Sequence, residues 1–218
     1  MTTEFEKIES SLMYFHEALK QISIENKAEN DGLEGNFYTY NGMDTREFMK
    51  AKMINLFYLA KECDKDILEI GFNAGNSCVI FLLANPNVKI HAVDICIHSY
   101  VQPCVDFLNK MFNNRVILHK GDSLQIVPAL DRSLGDTIGL YHIDGWHALE
   151  GIQADMKNCY NLAKNGTFLV VDDVNIVDIL NEAKKYDDEN KIKLLPEKII
   201  RKPEFFPHLI YCYTKSNL

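Results

Sequence analysis

The segment Asp66-Ile-Leu-Glu-Ile-Gly-Phe-Asn-Ala-Gly-Asn76 decides the fold of this chain. A short apolar run ends at Ile70, and Gly71 and Gly75 follow before a second apolar stretch over 77–83. Glycine takes positive φ easily and lets a ligand or another chain segment approach the backbone. The segment therefore predicts a buried strand, a tight turn and a helix. In parallel α/β proteins this turn is where cofactors bind.

The spacing of the glycines separates two classes of cofactor. A dinucleotide site usually carries Gly-x-Gly-x-x-Gly, with a glycine where the pyrophosphate meets the chain. Here Asn73 stands at that place and the third glycine is absent, so an NAD-linked oxidoreductase is disfavoured. Glu69 lies near the end of the predicted strand, where a carboxylate can hold a cation such as the amino group of a methionine moiety.

Length and composition predict one domain. The chain has 218 residues, of which 47% are hydrophobic, enough to bury one sizeable core. No Pro-, Gly- or Ser-rich linker marks a second domain. We therefore expect a single domain over 1–218, with a helical cap over 1–64 and an α/β core over 65–218.

Charge and cysteine usage exclude several partners. A net charge of −8 argues against contact with nucleic acid, which requires clustered Lys and Arg. No apolar run is long enough for a bilayer and the N-terminus lacks a signal-peptide pattern, so no membrane partner is expected. The six cysteines form no Cys-x-x-Cys pair. Reduced, structural thiols and a cytoplasmic location are therefore expected.

The first 64 residues predict two helices joined by a polar loop. Apolar residues recur every three or four positions over 4–24, which indicates an amphipathic helix that packs on its own domain, forms a homo-oligomer seam or covers the substrate. The loop covers 26–42 and is either a connector or a cover for the cofactor site. A second helix, with a broad buried face that includes Lys52, is expected from Asp44 or Thr45 to about 63. The residues of the amphipathic stripe are Phe5, Ile8, Leu12, Phe15, Leu19 and Ile22.

From residue 67 onward, strand and helix patterns alternate, which predicts a doubly wound α/β fold. Five short apolar strands separated by helices favour a parallel sheet covered on both faces. The predicted strands are 67–70, 89–93, 116–119, 138–143 and 167–171. The predicted helices are 77–84, 100–112, 123–130, 147–162 and a last one near 176–186.

The pattern Glu-x-Gly-x-x-x-Gly, formed by Glu69, Gly71 and Gly75, resembles motif I of the class I S-adenosylmethionine-dependent methyltransferases. This resemblance implies S-adenosylmethionine as cofactor. It also implies a Rossmann-like, mostly parallel seven-stranded sheet that is closed by a C-terminal antiparallel hairpin. The apolar segments 191–195 and 209–213 are the candidates for that hairpin.

The candidate cofactor residues lie at the turn and at the ends of the next strands. Asp94 ends the second strand, where a carboxylate can accept hydrogen bonds from a ribose diol or simply cap a helix. The resemblance implies that Asp122 and Ser123 contact adenine, although both are also ordinary helix N-cap residues. The other candidates are Phe72, Asn73, Asn76, Ser77, Ile95 and Asp144.

A second cluster combines Tyr141-His-Ile-Asp-Gly-Trp-His147 with Val170-Val-Asp-Asp-Val-Asn175. Each stretch ends a predicted parallel strand, so Asp144, Asp172 and Asp173 should converge beside the cofactor. Three carboxylates held together repel unless a cation lies among them, and oxygen ligands favour Mg²⁺ or a related divalent ion. His142, within the strand, is expected to be a core residue.

This cluster resembles the cation-dependent O-methyltransferases of the catechol O-methyltransferase type and small methyltransferases with an Ile-Asp-Gly-x-His element. The catechol-type element is Asp-His-Trp-Lys, completed by an Asp-Asn pair. Asp144 and Trp146 match it, His147 replaces the lysine and Asp173 replaces the asparagine. The resemblance implies a metal site and a base at His147, whereas the extra charge of Asp173 argues against a catechol substrate. Alternatively, His147 and the Asp-Asp pair cap helices and Trp146 anchors the core.

The resemblance to these families implies an enzyme that methylates an oxygen of a small hydroxylated acceptor, a sugar or a phenol, with His147 and Asp144 in catalysis. Two rival functions stay open: a metal-independent methyltransferase acting on nitrogen or a carboxylate, and a non-catalytic S-adenosylmethionine-binding protein that assembles through its N-terminal helix. The aromatic candidates for the acceptor pocket are Phe37, Tyr38, Tyr40, Tyr100, Phe205 and Phe206.

Overall fold

A computed structural model of the chain describes residues 4–26, 37–40, 43–203 and 205–215. The strands in chain order are β1 (Thr39–Tyr40), β2 (Met43–Asp44), β3 (Asp66–Ile70), β4 (Ile90–Asp94), β5 (Val116–Lys120), β6 (Ile138–Ile143), β7 (Phe168–Val171), β8 (Ile192–Leu194) and β9 (Leu209–Tyr213). The α-helices are α1 (Glu4–Glu25), α2 (Arg46–Glu62), α3 (Asn76–Ala84), α4 (Val101–Met111), α5 (Ser123–Ala129), α6 (Leu134–Thr137), α7 (Leu149–Leu162) and α8 (Val177–Asp188).

Seven strands form one sheet in the order β5-β4-β3-β6-β7-β9-β8. The first five of these strands in the order pair in parallel, while β9 pairs antiparallel with both β7 and β8. The central strands are buried along nearly their whole length, which explains why they read as continuous apolar runs rather than as alternating patterns. The Rossmann-like fold and the C-terminal hairpin are confirmed.

The chain changes direction across the sheet between β3 and β6. After β3 it builds β4 and β5 on one side, and it then returns to place β6 and β7 on the other side. The helices that follow β3 and β6, α3 and α7, lie on opposite faces of the sheet, so the carboxyl ends of these two strands form a topological switch point. Ligands of open α/β sheets bind at such a switch point.

Helices cover both faces of the sheet. The helices α1 to α4 share one apolar core with one face, and α5, α7 and α8 share a second core with the other face. Helix α1 contacts α3 and α4 and buries four residues of its apolar stripe. The chain's own helices therefore cover the stripe, in agreement with the predicted alternative in which α1 packs on its own domain. No helix among the described residues has the length and apolar character needed to span a bilayer.

The structure corrects the start of one predicted helix and adds short elements that were not predicted. Helix α7 begins at Leu149, after Ala148 in extended conformation, so His147 lies in the preceding loop and does not begin the helix. The short hairpin of β1 and β2 and the four-residue helix α6 were not predicted, because such short elements carry no periodicity. Residues 27–36 and 41–42 of the predicted loop lie outside the described residues.

Candidate functional site

The register of the sheet brings the candidate residues to one edge. Ile143 pairs with Ile70 on one side and with Val171 on the other. The ladder continues one step further, because the backbone N–H of Asp144 donates to the carbonyl of Ile70 at 3.0 Å and that of Asp172 donates to Ile143 at 3.0 Å. The two carboxylates therefore leave adjacent strand ends beside the turn that follows β3.

The glycine turn is shaped by close contacts that exclude side chains. Gly71 has φ +90, and a Cβ there would lie 1.9 Å from the carbonyl oxygen of Asp144. Gly75 has φ +85 and precedes α3, and a Cβ there would lie 2.6 Å from the ring of Phe72. Asn73 also takes a positive φ, of 50°. The first glycine thus lets the turn after β3 pack directly against the loop after β6.

Asp94 and Tyr100 hold this turn in place. The Asp94 carboxylate accepts from the backbone N–H of Asn73 at 2.8 Å and from that of Cys96 at 2.7 Å. The Tyr100 hydroxyl donates to the Asn73 side-chain oxygen at 2.7 Å. Tyr100 therefore lies against the glycine turn. Ile95 projects from the same edge and is 54% exposed.

Asp122 caps α5, as one of its two predicted roles has it, by accepting from the backbone N–H of Leu124 at 2.9 Å. The next residue, Ser123, lies near Asp155 of α7, a buried carboxyl that the sequence analysis did not single out. Burial raises the pKa of Asp155 to about 6, against the influence of Ser123, which lowers it. Neither oxygen of Asp155 has a hydrogen-bond partner among the described residues.

A row of buried polar groups runs beneath the site from α3 to α2. Ser77 donates to Oε1 of Glu69, and His142 Nδ1 lies 3.0 Å from the same oxygen. On its other side, His142 Nε2 lies 3.3 Å from Oδ2 of Asp172, which also contacts Nζ of Lys52 at 2.6 Å. His142 is therefore more than a core strand residue, because it bridges two carboxylates.

The charged forms of His142 and Asp172 stabilise each other, whereas Glu69 responds mainly to burial. Burial raises the pKa of Glu69. Burial alone would lower the pKa of His142, but its bonds to Asp172 and Glu69 raise it to about 10. Burial alone would raise the pKa of Asp172, but Lys52 and His142 outweigh burial and hold this pKa below its usual range. The row therefore has an ionised Asp172 between two cationic groups.

A second, more open group lies above this row. His147 Nε2 is 3.1 Å from Oδ2 of Asp173 and 3.8 Å from Oδ1 of Asp144. These two carboxylates raise the pKa of His147 to about 10, although burial opposes them. Asp173 has φ 51, a conformation that aspartate tolerates better than most residues. Trp146 is 58% exposed and therefore does not anchor the core.

Two sets of side chains in the described part of the chain are close enough to share one cation. The first comprises His142, Asp144 and Asp172, and the second comprises Asp144, His147 and Asp173. Carboxylate oxygens with an imidazole suit a divalent ion. Asp144 belongs to both sets, so it lies close to Asp172 in one and to Asp173 in the other, and neither set contains all three predicted aspartates. Lys52, which reaches Asp172 from α2, was predicted only as part of a buried helix face.

The predicted aromatic residues lie in two places. Phe37 is buried, and Nζ of Lys52 lies 5.9 Å from the centre of its ring, so this residue borders the acidic cluster. Tyr38 stacks edge-on against His16 of α1. Phe205 contacts Phe206 and Phe48 of α2. The side chain of Tyr40 lies outside the described residues.

Comparison with known proteins agrees with this geometry. Residues 68–174 match a family described as a methyltransferase domain. No curated protein sequence matches the chain.

Solved structures share the fold over nearly the whole chain. The O-methyltransferase TomG from Streptomyces achromogenes, involved in tomaymycin synthesis and solved with SAM, is 15% identical, with 98% of this chain and 100% of that chain covered at a TM-score of 0.63. The SAH-bound methyltransferase PaMTH1 from Podospora anserina is 12% identical, with coverages of 99% and 98% and a TM-score of 0.63. An O-methyltransferase from Bacillus cereus, in complex with SAH, is 14% identical, with coverages of 93% and 91% and a TM-score of 0.60. Residues 68–174 therefore carry a methyltransferase domain, and the glycine turn and the shared fold support an S-adenosylmethionine-dependent enzyme.

Proposed function

We propose that the enzyme transfers a methyl group from S-adenosylmethionine to an oxygen of a small hydroxylated acceptor, a sugar or a phenol, with the help of a divalent cation. The observation that carries this proposal is the convergence of Asp144, His147 and Asp173 at the sheet edge that also holds the glycine turn. This arrangement supports a cation site and a proton acceptor beside the turn where we propose that the cofactor binds.

The residues around the turn fit the cofactor. Gly71 and Gly75 keep the turn free of side chains, and Oε2 of Glu69, close beneath it, has no hydrogen-bond partner among the described residues. An unpaired buried carboxylate oxygen suits the positively charged end of S-adenosylmethionine. The cofactor would supply a methyl group bound to a sulfonium sulfur, and the neutral thioether that remains after transfer is a good leaving group without acid assistance. The proposed contacts are Glu69, Gly71, Phe72, Asn73, Gly75, Asn76, Ser77, Asp94, Ile95, Asp122, Ser123 and Asp144.

The names of similar structures favour oxygen as the acceptor atom. TomG and the Bacillus cereus protein are both named O-methyltransferases, and another, CalS11, is named a TDP-rhamnose 3'-O-methyltransferase. We extend from these names only the acceptor atom and the small size of the acceptor, and propose Phe37, Tyr38, Tyr40, Phe205 and Phe206 as the residues around it.

The residues also fit a divalent cation, for which we propose Mg²⁺ held by Asp144, Asp172 and Asp173. A carboxylate offers about four lone pairs, and the contacts to Asp172 use three of them, so one remains. Asp144 and Asp173 both lie close to the side chain of His147, at the carboxyl ends of β6 and β7. When bound there, a divalent cation would supply Lewis-acid stabilisation of the acceptor oxygen.

We propose that His147 accepts the proton of the acceptor hydroxyl, at the nitrogen Nε2 that faces Asp144 and Asp173. A base must be neutral, whereas these two carboxylates raise the pKa of His147 to about 10. A positive charge shared by the carboxylates weakens this effect and favours the neutral imidazole. The cation and the base therefore belong to one proposal.

One observation favours a second candidate, a metal-independent methyltransferase that acts on nitrogen or a carboxylate. Asp172 already contacts the Lys52 ammonium, and Asp173 already contacts His147. The protein itself thus supplies positive charge to the carboxylates that a metal would neutralise. Activity that is insensitive to a chelator would favour this second function.

The first experiment measures S-adenosylmethionine and Mg²⁺ binding by calorimetry, followed by methyl transfer to a panel of hydroxylated compounds with and without a chelator. We expect Asp144→Asn to lower turnover at least about 100-fold and to remove the Mg²⁺ signal, because it removes a carboxylate from the reacting centre. S-adenosylmethionine affinity should change less than about threefold, since the turn is intact. Asp136→Asn, which changes an exposed aspartate paired with Lys164, is the matched control.

Absence of S-adenosylmethionine binding by the unaltered enzyme would contradict the cofactor assignment, and equal turnover with and without chelator would contradict the cation.

We also propose a cytoplasmic location, in which the six free cysteines would stay reduced. We also propose a homo-oligomer through α1, which would use the exposed Tyr14 and Ile24 rather than the buried stripe.

A further inference from the structure

Lys52 is an unusual residue to find beneath this site. It belongs to α2, outside the α/β core, and only 5% of it is exposed. Its Nζ atom lies 2.6 Å from Oδ2 of Asp172 and 5.9 Å from the centre of the Phe37 ring. Lysine is almost never buried to this extent unless it is paired, so the contact with Asp172 is what makes this position possible.

The other contacts of Asp172 leave it little freedom. Its Oδ1 atom accepts from the backbone N–H of Asp173 at 2.8 Å. Its Oδ2 atom is shared by Lys52 and His142, and His142 is itself fixed by Glu69 on its other side. Asp172 is therefore held as a charge partner of the protein, with a single lone pair left for a ligand.

Asp144 and Asp173 differ from Asp172 in this respect. Their close cationic partner is His147, whose side chain is 49% exposed and can move away. The Lys52 ammonium is also within electrostatic range of both, since Asp172, Asp144 and Asp173 together outweigh burial and hold the pKa of Lys52 above its usual value. A fixed positive charge thus lies on the buried side of all three carboxylates.

We infer that Lys52 is an internal cation that competes with a divalent metal ion for Asp172 and thereby sets how tightly the acceptor site holds that ion. The inference rests on the proposed function, in which the three aspartates form the cation site. Lys52 acts through Asp172 and is a positioning residue. Its charge keeps metal binding weak and reversible.

The test is Mn²⁺ binding, followed by the electron paramagnetic resonance signal of the free ion, in the full-length enzyme and in Lys52→Met and Lys52→Arg. Methionine has a similar length and no charge, so it releases Asp172 and removes the repulsion between Lys52 and the metal. We expect Lys52→Met to bind Mn²⁺ at least about tenfold more tightly. Lys52→Arg keeps the charge and should bind within about threefold of the unaltered enzyme.

Lys50→Met is the matched control, because Lys50 lies on the same helix and pairs at 2.6 Å with Glu9. It should leave Mn²⁺ affinity unchanged. Equal or weaker Mn²⁺ binding by Lys52→Met, with S-adenosylmethionine binding retained as evidence of folding, would overturn the inference. A purely structural role of Lys52 predicts a loss of affinity, never a gain.

The outcomes separate this inference from the proposed function. If the unaltered enzyme binds no Mn²⁺ but Lys52→Met does, Lys52 replaces the metal, which supports the inference and contradicts the cation in the proposed function. If neither binds Mn²⁺, both are wrong. Should Lys52→Met fail to fold, Asp172→Asn decides, because a carboxylate already paired with Lys52 should matter less to Mn²⁺ affinity than Asp173, tested as Asp173→Asn. Equal losses in these two variants would overturn the inference.

Discussion

Asp172 and Asp173 are neighbours in sequence, yet they lie in opposite environments. The side chain of Asp172 is fully buried between Lys52 and His142, whereas that of Asp173 is 13% exposed and contacts the half-exposed His147. The reason is local: Asp172 continues the ladder of β7 by bonding to Ile143, and Asp173 turns away with a positive φ. One carboxylate serves the protein's internal charge balance, and the other stays open to a ligand.

The largest test of this comparison is the stability of two matched variants. Asp172→Asn leaves Lys52 and His142 without the charge that compensates them, so we expect a loss of about 3 kcal/mol in the free energy of unfolding. Asp173→Asn removes a partly exposed contact and should cost less than about 1 kcal/mol. Urea unfolding at pH 7 in the presence of a chelator measures both. Equal losses would show that the two carboxylates are not distinguished by burial.

A second test concerns the glycine that positions Asp144 relative to Asp172. Gly71→Ala places a Cβ against the Asp144 carbonyl in a backbone conformation unfavourable to alanine, and we expect it to cost about 2–3 kcal/mol and to weaken S-adenosylmethionine binding at least about tenfold. Gly166→Ala is the control, since Gly166 has φ +79 with no atom within 4 Å of a Cβ. It should cost only about 1 kcal/mol and leave binding unchanged. Similar effects of both variants would mean that backbone strain alone, without the contact to Asp144, explains the first.

The smallest effect is a pH dependence of the open group. The pKa of His147 is about 10 in the folded chain and about 6.5 when unfolded, so its bonds to Asp173 and Asp144 stabilise the protein fully below about pH 6.5. This contribution is lost as pH rises toward 10. Because the imidazole is half exposed, we expect only about 1 kcal/mol. The difference in Tm between the unaltered chain and His147→Gln, measured without metal from pH 6 to 10, should shrink toward zero. A constant difference over this range would rule out the charged contact.

Most of the fold could be predicted from the sequence because its strands are short, buried and apolar. The run before Gly71 and the four similar runs after it predicted the five parallel strands, and the structure confirms them. The start of α7 was wrong by two residues because His147 and Ala148 carry no capping signal that separates loop from helix. The hairpin of β1 and β2 has two-residue strands, too short for any period to appear.

The site was predicted less completely, and the reason is the kind of information that a pattern contains. Carboxylates after parallel strands must share an edge, so Asp144, Asp172 and Asp173 could be brought together in advance. Helical periodicity also predicted that Lys52 is buried, but a period reports burial and not the partner. The same limit applies to His142 and Asp155, whose positions looked ordinary for a strand and a helix.

The sequence by itself determined the order of the elements, the parallel sheet, the glycine turn and the edge at which the acids meet. These follow from local periodicity and from the rule that parallel strands end at one edge. Only the tertiary structure decided that Lys52 reaches Asp172, that His142 joins it to Glu69 and that His147 lies between Asp144 and Asp173. Such pairings depend on how helices from distant parts of the chain dock on the sheet, and a buried charge is tolerated only where docking supplies its counterpart.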